Sequence, residues 1–315
     1  MKRKKAIAMS FNWIFAIVAG GFILFLAIYG AGKFIRTSEQ ATYTETAASL
    51  TAVFDPLETG LASGKAHSIG FKKDSKIFFD CNSKLNPPFG KQYISFSEKT
   101  LGDTYGERGG KVSIVNKYLF ADDIVEGKSV YIFSKPFFMP FKVADLNMVI
   151  SGSEEYCFHD APESVREDLE SLNLNSIIFV NETNECEGTD VCFERSGCDI
   201  VVEDDHVKKR RERMYYTGDM IYAAIFSSPD IYECNFKRLK NKFNEVAKIY
   251  TKKIEIMERQ GCLPTIGAKL QALIDREVHS SSDILEFNAA IEEIDSINRL
   301  SNAGCMVYYN DNWGR

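Results

Sequence analysis

The sequence predicts an α+β protein in three parts: an N-terminal transmembrane helix, an antiparallel β-rich ectodomain and a C-terminal unit of about three helices. Three observations carry this reading. Ala6 to Gly32 contains no Asp, Glu, Lys, Arg or His, and at ~1.5 Å per residue it is long enough to cross a hydrocarbon core of ~30 Å. From about Ser68 apolar and polar residues alternate and β-formers dominate, the period of a strand with two different faces. From Tyr232 to Met257 apolar residues return every three or four positions, the period of one helix face.

The apolar segment is preceded by Lys2, Arg3, Lys4 and Lys5, and followed by Lys33 and Arg36. The heavier basic flank is predicted to stay in the cytoplasm, which places the rest of the chain outside. Trp13 and Tyr29 lie towards the two ends of the span, where amphipathic rings favour the membrane interface. A cleaved signal peptide has an apolar region of ~7–15 residues, shorter than this one, so an uncleaved single-pass signal-anchor is expected. Ala16-x3-Gly20 and Ala27-x3-Ala31 put small residues one turn apart, a spacing that lets helices approach closely in lipid. The layout is therefore a basic tail at 1–5, a span at 6–32 and a stalk or linker at 33–67. The stalk has a weak helical pattern with little apolar surface, ended by Asp55-Pro56 and by Gly60, Gly64 and Gly70.

Charge is unevenly spread. The six Lys/Arg of residues 1–36 leave 32 basic against 44 acidic residues beyond them, a net charge of −12. An acidic ectodomain argues against nucleic acid as a partner. The partners expected are the lipid bilayer and another membrane or surface protein. All eight cysteines, Cys81, Cys157, Cys186, Cys192, Cys198, Cys234, Cys262 and Cys305, lie beyond the span. An even number on the oxidising side of a membrane reads as a disulfide set. No close CxxC pair suggests zinc.

Within the β-rich part, 68–204, strands are expected at 76–80, 92–97, 111–116, 129–134 and 141–150, separated by turns at Asn86–Gly90, Gly109-Gly110 and Glu126-Gly127. A short helix opens after His159-Asp160, with Asp160 or a neighbour as its cap and Pro162 in its first turn. Val165, Leu169 and Leu172 form its buried stripe, a buried strand follows at 176–181 and a further strand at 198–204, and the helix between two strands suggests an α/β element joined to the sheet. Residues 182–199 read as a polar loop held by at least one disulfide. Asn181-Glu182-Thr183 is an N-glycosylation pattern, meaningful only in a compartment that glycosylates.

The final unit, 205–315, starts with the one basic run of the ectodomain, Lys208, Lys209, Arg210, Arg211 and Arg213. It reads as a solvated hairpin or loop, or as a docking patch for an acidic or phosphate-bearing partner. After the apolar stretch 220–226, Ser228-Pro229-Asp230 is a helix start and Gly261 a stop, so one continuous helix is expected over Pro229–Arg259. Further helices follow Pro264 and Ser282-Asp283, the last ending at Gly304. Cys234 and Cys262 would lie ~42 Å apart along the helix, too far to bridge. Cys234–Cys305 is the pairing preferred, and Cys262–Cys305 its alternative.

No catalytic motif, phosphate-binding glycine loop or cofactor site is found. His67, His159, His206 and His279 stand in no nucleophile or metalloprotease pattern. Cys157 and His159 share one face of an extended segment and would make a thiol–imidazole pair, but a disulfide cysteine beside a helix-start histidine explains them more simply. Glu203-Asp204-Asp205-His206 lacks the spacing of a calcium loop and reads as a solvated acidic turn.

Two stretches resemble known sequences. Met9 to Gly20, MSFNWIFAIVAG, is similar to the N-termini of membrane-anchored proteins of archaeal genomes that have no established activity. Tyr222–Cys234 with Lys237-Arg238-Leu239 resembles the C-terminal segment of the same group. The resemblance implies location and layout, and no site. More loosely, the N-terminus resembles archaeal type IV pilin-like precursors, with Lys5-Ala6 at the cleavage point. The early helix glutamate of many pilins is absent; Ser10, Phe11 and Asn12 stand there. The function expected is a membrane-anchored extracytoplasmic binding or scaffold protein without catalysis. The alternatives are a pilin-like filament subunit and, last, a surface hydrolase using Cys157 and His159.

Overall fold

A computed structural model describes residues 11–54, 66–84, 89–100, 103–180, 186–301 and 305–309. The basic tail, the Lys5-Ala6 point, the break at Asp55-Pro56, Gly60 and Gly64, the turn at 86–88, the Asn181 sequon and Gly304 lie outside these.

Helix α1 runs Phe11–Phe54, 44 residues without a break, which is about 66 Å at 1.5 Å per residue. Its most apolar 18-residue window has a mean hydropathy of 2.4, and none of that window is buried. Phe15, Ile17, Phe22, Ile23 and Leu24 are exposed there, as are Trp13 and Tyr29, and nothing lies within van der Waals reach of Gly20. The outer half behaves differently. Tyr43, Ala47 and Leu50, four and three residues apart, fall on one helix face and are buried against Ile77, Phe79, Ile94, Phe96 and Ile114 of a sheet. Tyr43 meets Phe96 edge-on at 6.0 Å. The stretch expected as a stalk or linker with a weak helical pattern thus continues the helix as far as Phe54 and is docked on the head. Its few apolar residues suffice because they share a face, and burying a side chain the size of Leu50 contributes about 1.5–3 kcal/mol.

The glycines of the segment beneath the helix make that seat. A Cβ on Gly109 would lie 2.7 Å from Tyr43 Cβ and 3.0 Å from the Thr44 backbone nitrogen. The Gly110 N–H donates to Thr44 Oγ1 at 2.7 Å, and Gln40 donates to Glu107 at 2.8 Å.

The docked sheet has the order β3-β2-β1-β5-β6-β4. Its strands are β1 (Ala66–Asn82), β2 (Lys91–Glu98), β3 (Val112–Ile114), β4 (Tyr118–Phe120), β5 (Ile124–Phe138) and β6 (Lys142–Ser151). All pairs are antiparallel except β4 with β6. The second sheet has the order β12-β11-β10-β9-β7-β8. It contains β7 (Tyr156–His159), β8 (Ile177–Phe179), β9 (Thr189–Phe193), β10 (Ile200–Val202), β11 (His206–Lys209) and β12 (Glu212–Tyr215).

Here the expectation of a purely antiparallel sheet gives way to a mixed one. Strands β7 to β10 are mutually parallel, and β11 runs antiparallel to both of its neighbours, β10 and β12. The cause is connectivity. Helix α2 (Glu163–Glu170) carries the chain from β7 back to the start of β8, and such a crossover produces parallel neighbours. Between β9 and β10 the return is short, and the Cys192–Cys198 disulfide closes it. The cap of α2 also differs from the one expected: Pro162 stands at the N-cap without a side-chain hydrogen bond, and Asp160 is in the left-handed region at φ 54°.

Helices α3 (Met220–Phe226), α4 (Pro229–Arg259), α5 (Gly267–Asp275) and α6 (Ile284–Leu300) complete the fold. Helix α4 has the expected limits: Ser228 accepts from the Ile231 N–H, Pro229 opens the first turn, and Gly261 ends it at φ 88°. Its stripe, with α3, covers the inner face of the first sheet and joins it to the second in one core. Arg238 departs from a plain amphipathic pattern. It is fully buried, with Nε on Phe89 O at 2.9 Å and Nη1 on Lys117 O at 2.9 Å, so it fastens α4 to loops that border β2 and β4. Burial lowers its pKa to about 10.

All eight cysteines are paired. The bonds are Cys81–Cys234, Cys157–Cys186, Cys192–Cys198 and Cys262–Cys305. The preferred Cys234–Cys305 pairing is therefore corrected. Cys234 lies in the first turns of α4 against the end of β1, while α5 and α6 fold back so that Cys305 returns to the end of α4.

Candidate functional site

A cleft of about 940 Å³ lies between the two sheets. Four segments build it. The β4–β5 connection brings Asp122, Asp123 and Ile124. The beginnings of β7, β9 and β10 bring Tyr156, Thr189, Asp199 and Ile200. The β11–β12 turn brings Lys209 to Glu212, and the start of α4 brings Ser228 and Asp230.

Strand alternation divides the basic run. Lys208 faces Arg213 across the β11–β12 ladder, and Lys209 faces Glu212. Successive side chains point to opposite faces, so Lys209 turns into the cleft while Lys208 and Arg213 stay exposed outside it. Arg210 takes φ 54° at the turn and, with Arg211, reaches the cleft wall. The five residues read as one docking patch are thus two sets on opposite faces. The structural signal was available in their spacing: a two-residue turn places 209 with 212 and 208 with 213.

Lys209 is half-buried, and its Nζ donates to Ser227 O at 2.7 Å. Burial pulls its pKa down to about 8, and the Asp122 carboxylate works against that shift. Asp122 is raised in turn, mainly by burial, with Lys209 opposing and Asp123 adding to it. Tyr156 is buried beside Phe226, ring centroids 5.0 Å apart. Desolvation, then Asp122 and Glu154, pushes its hydroxyl well above the ordinary tyrosine range. Ser228 donates to Asp123 Oδ1 at 2.7 Å while capping α4.

No protein family, curated protein or solved structure matches the chain.

A second hollow of about 640 Å³ shares Asp123, Ile124 and Asp230 with the first and continues to Phe78, Asp80 and Arg108. The Arg108 guanidinium lies 4.5 Å over the Phe78 ring and is paired with Asp80. The two hollows adjoin at these three shared residues, and together they are termed the groove.

The other sequence candidates lie elsewhere. Cys157 is bonded to Cys186, so no thiolate is present for a Cys157–His159 pair, and His159 Nε2 instead sits 2.7 Å from Asp190 Oδ1. His206 Nδ1 is 2.6 Å from Asp205 Oδ1. Among the described residues no cluster of three His, Cys, Asp or Glu could hold a metal ion. Sequence reasoning missed Asp122, Asp123 and Tyr156 entirely, and it read Ser228 and Asp230 only as a helix start. No local pattern marks them, because the cleft joins positions more than eighty residues apart.

Proposed function

We propose that the protein is a single-pass, extracytoplasmic binding protein whose head is held close to the bilayer by a rigid helix. The observation that carries this is the continuity of α1, in which an apolar, unburied half runs directly into a half docked on the head. If the span ends near Gly32, the Arg36–Glu107 ion pair begins only about 6 Å further along the axis. The head then has little freedom to reorient. The basic N-terminal flank favours an external head, and four disulfides suit an oxidising compartment. The groove is the part of the head best suited to hold a ligand, because it gathers polar groups with shifted pKa values in a concave site.

External protease applied to spheroplasts tests the orientation. Degradation of the head supports it. A head protected until lysis, yet cleaved readily in detergent, overturns it.

The same continuous helix also favours the second reading, a pilin-like filament subunit, because bundling would cover its apolar half. Mass spectrometry of the mature N-terminus separates the two. A start just after Lys5 supports the filament, and an intact MKRKK supports the anchor.

A further inference from the structure

We propose that the groove beside Lys209 binds an acidic oligosaccharide, a hydroxyl-rich chain that carries carboxylates. This rests on the reading of the head as an external binding module.

The groove holds hydrogen-bond donors with unused capacity. Lys209 spends one N–H on Ser227 O and forms no ion pair among the described residues. Arg210 and Arg211 make no ion pair or hydrogen bond among the described residues, and the Tyr156 hydroxyl makes none either. A carboxylate oxygen is the partner such a set lacks, since charge-assisted bonds from ammonium and guanidinium groups are the strong ones.

It also holds acceptors with unused capacity. The Asp122 and Asp230 side chains have no hydrogen-bond partner among the described residues, and Asp123 has only Ser228. These carboxylates repel a compact multiply charged anion such as phosphate. They suit hydroxyl donors. A uronic-acid sugar offers both kinds of group at once, one carboxylate for the basic wall and several hydroxyls for the acidic one.

Shape narrows the class further. The two hollows share Asp123, Ile124 and Asp230 and continue into each other, so the site accommodates a chain rather than a single small molecule. Ile124, 47% exposed, gives it apolar surface for the face of a sugar ring. A peptide bound as an added strand needs a free sheet edge. The groove instead gathers strand ends and loops, and meets the edge strand β12 only at its first residue, Glu212.

The test is calorimetric titration of the full chain in nanodiscs with three probes: a short galacturonic acid oligomer, a neutral glucose oligomer of equal length and a short polyglutamate peptide. The galacturonate oligomer is expected to bind about tenfold or more tightly than either of the others. Lys209→Met and Asp230→Asn, each checked for native circular dichroism, are each expected to weaken it by about tenfold. Asp230 is exposed, which keeps that variant free of a folding defect. Polyglutamate binding as tightly as galacturonate overturns the ligand class and leaves the external binding module standing. Equal affinity for the neutral oligomer, no binding of the galacturonate oligomer, or affinity unchanged in both variants overturns the proposal.

Discussion

Replacing Gly109 by alanine tests whether α1 is seated on the head. The added Cβ would lie 2.7 Å from Tyr43 Cβ, 3.0 Å from the Thr44 amide nitrogen and 3.0 Å from the Tyr43 carbonyl carbon. Two of these atoms belong to the helix backbone, so no side-chain rotation relieves the contact. The helix must lift, and its buried face loses contact. Overpacking of this kind costs about 1–3 kcal/mol. Gly70 is the control, because a Cβ there meets nothing within 4 Å; its alanine variant should change stability by less than about 0.5 kcal/mol or stabilise slightly. The assay is urea unfolding of the full chain in detergent, followed by far-UV circular dichroism, with amide hydrogen exchange over residues 40–50. Gly109→Ala should lower the unfolding midpoint and accelerate exchange in that stretch. A Gly109→Ala protein indistinguishable from Gly70→Ala would refute the seating of the helix.

Three further outcomes are expected. Phe243 is fully buried and stacks with Phe141 at 5.8 Å, so Phe243→Ala should cost about 3–5 kcal/mol in the same unfolding assay. A non-reduced peptide map should recover Cys81–Cys234 and Cys262–Cys305, and losing the former through Cys81→Ala with Cys234→Ala should cost about 2–5 kcal/mol. Burial lowers the Lys209 pKa to about 8, below the ~10.4 of a free lysine, so the unfolded chain binds more protons between those values. The Lys209 contribution to stability therefore rises with pH from about 8 to 10. The stability of Lys209→Met relative to wild type should fall over that window, and a difference that stays constant with pH would refute the shift.

What could be read locally was read well. Helix α4 has a serine cap, a proline at its first position and a glycine stop, so its limits follow from short-range chemistry. The antiparallel strands β1, β2, β5 and β6 announce themselves by alternation, although β1 and β5 extend further than their alternating cores. Strand β9 was hidden, because TDVCF lies in a segment dominated by acids and cysteines, and its pairing with β7 and β10 supplies what local composition does not. The parallel order of the second sheet depends on crossovers, which alternation does not encode. Likewise the docking of α1 rests on three side chains, too few to raise the apolar content of the stretch. The groove is the extreme case. Asp122 lies in a connection of the first sheet and Lys209 in a strand of the second, and only the tertiary fold brings them together.

The central claim is that one unbroken helix serves as both span and support of the head. Pulsed electron resonance on the full chain in lipid bilayers, with spin labels at Lys33→Cys and Ala48→Cys, measures this directly. Both positions are exposed, and the native cysteines are bonded to one another. Fifteen residues of helix give a single narrow distance near 22 Å. A broad distribution reaching towards about 50 Å, the span of the same residues when extended, would contradict the claim.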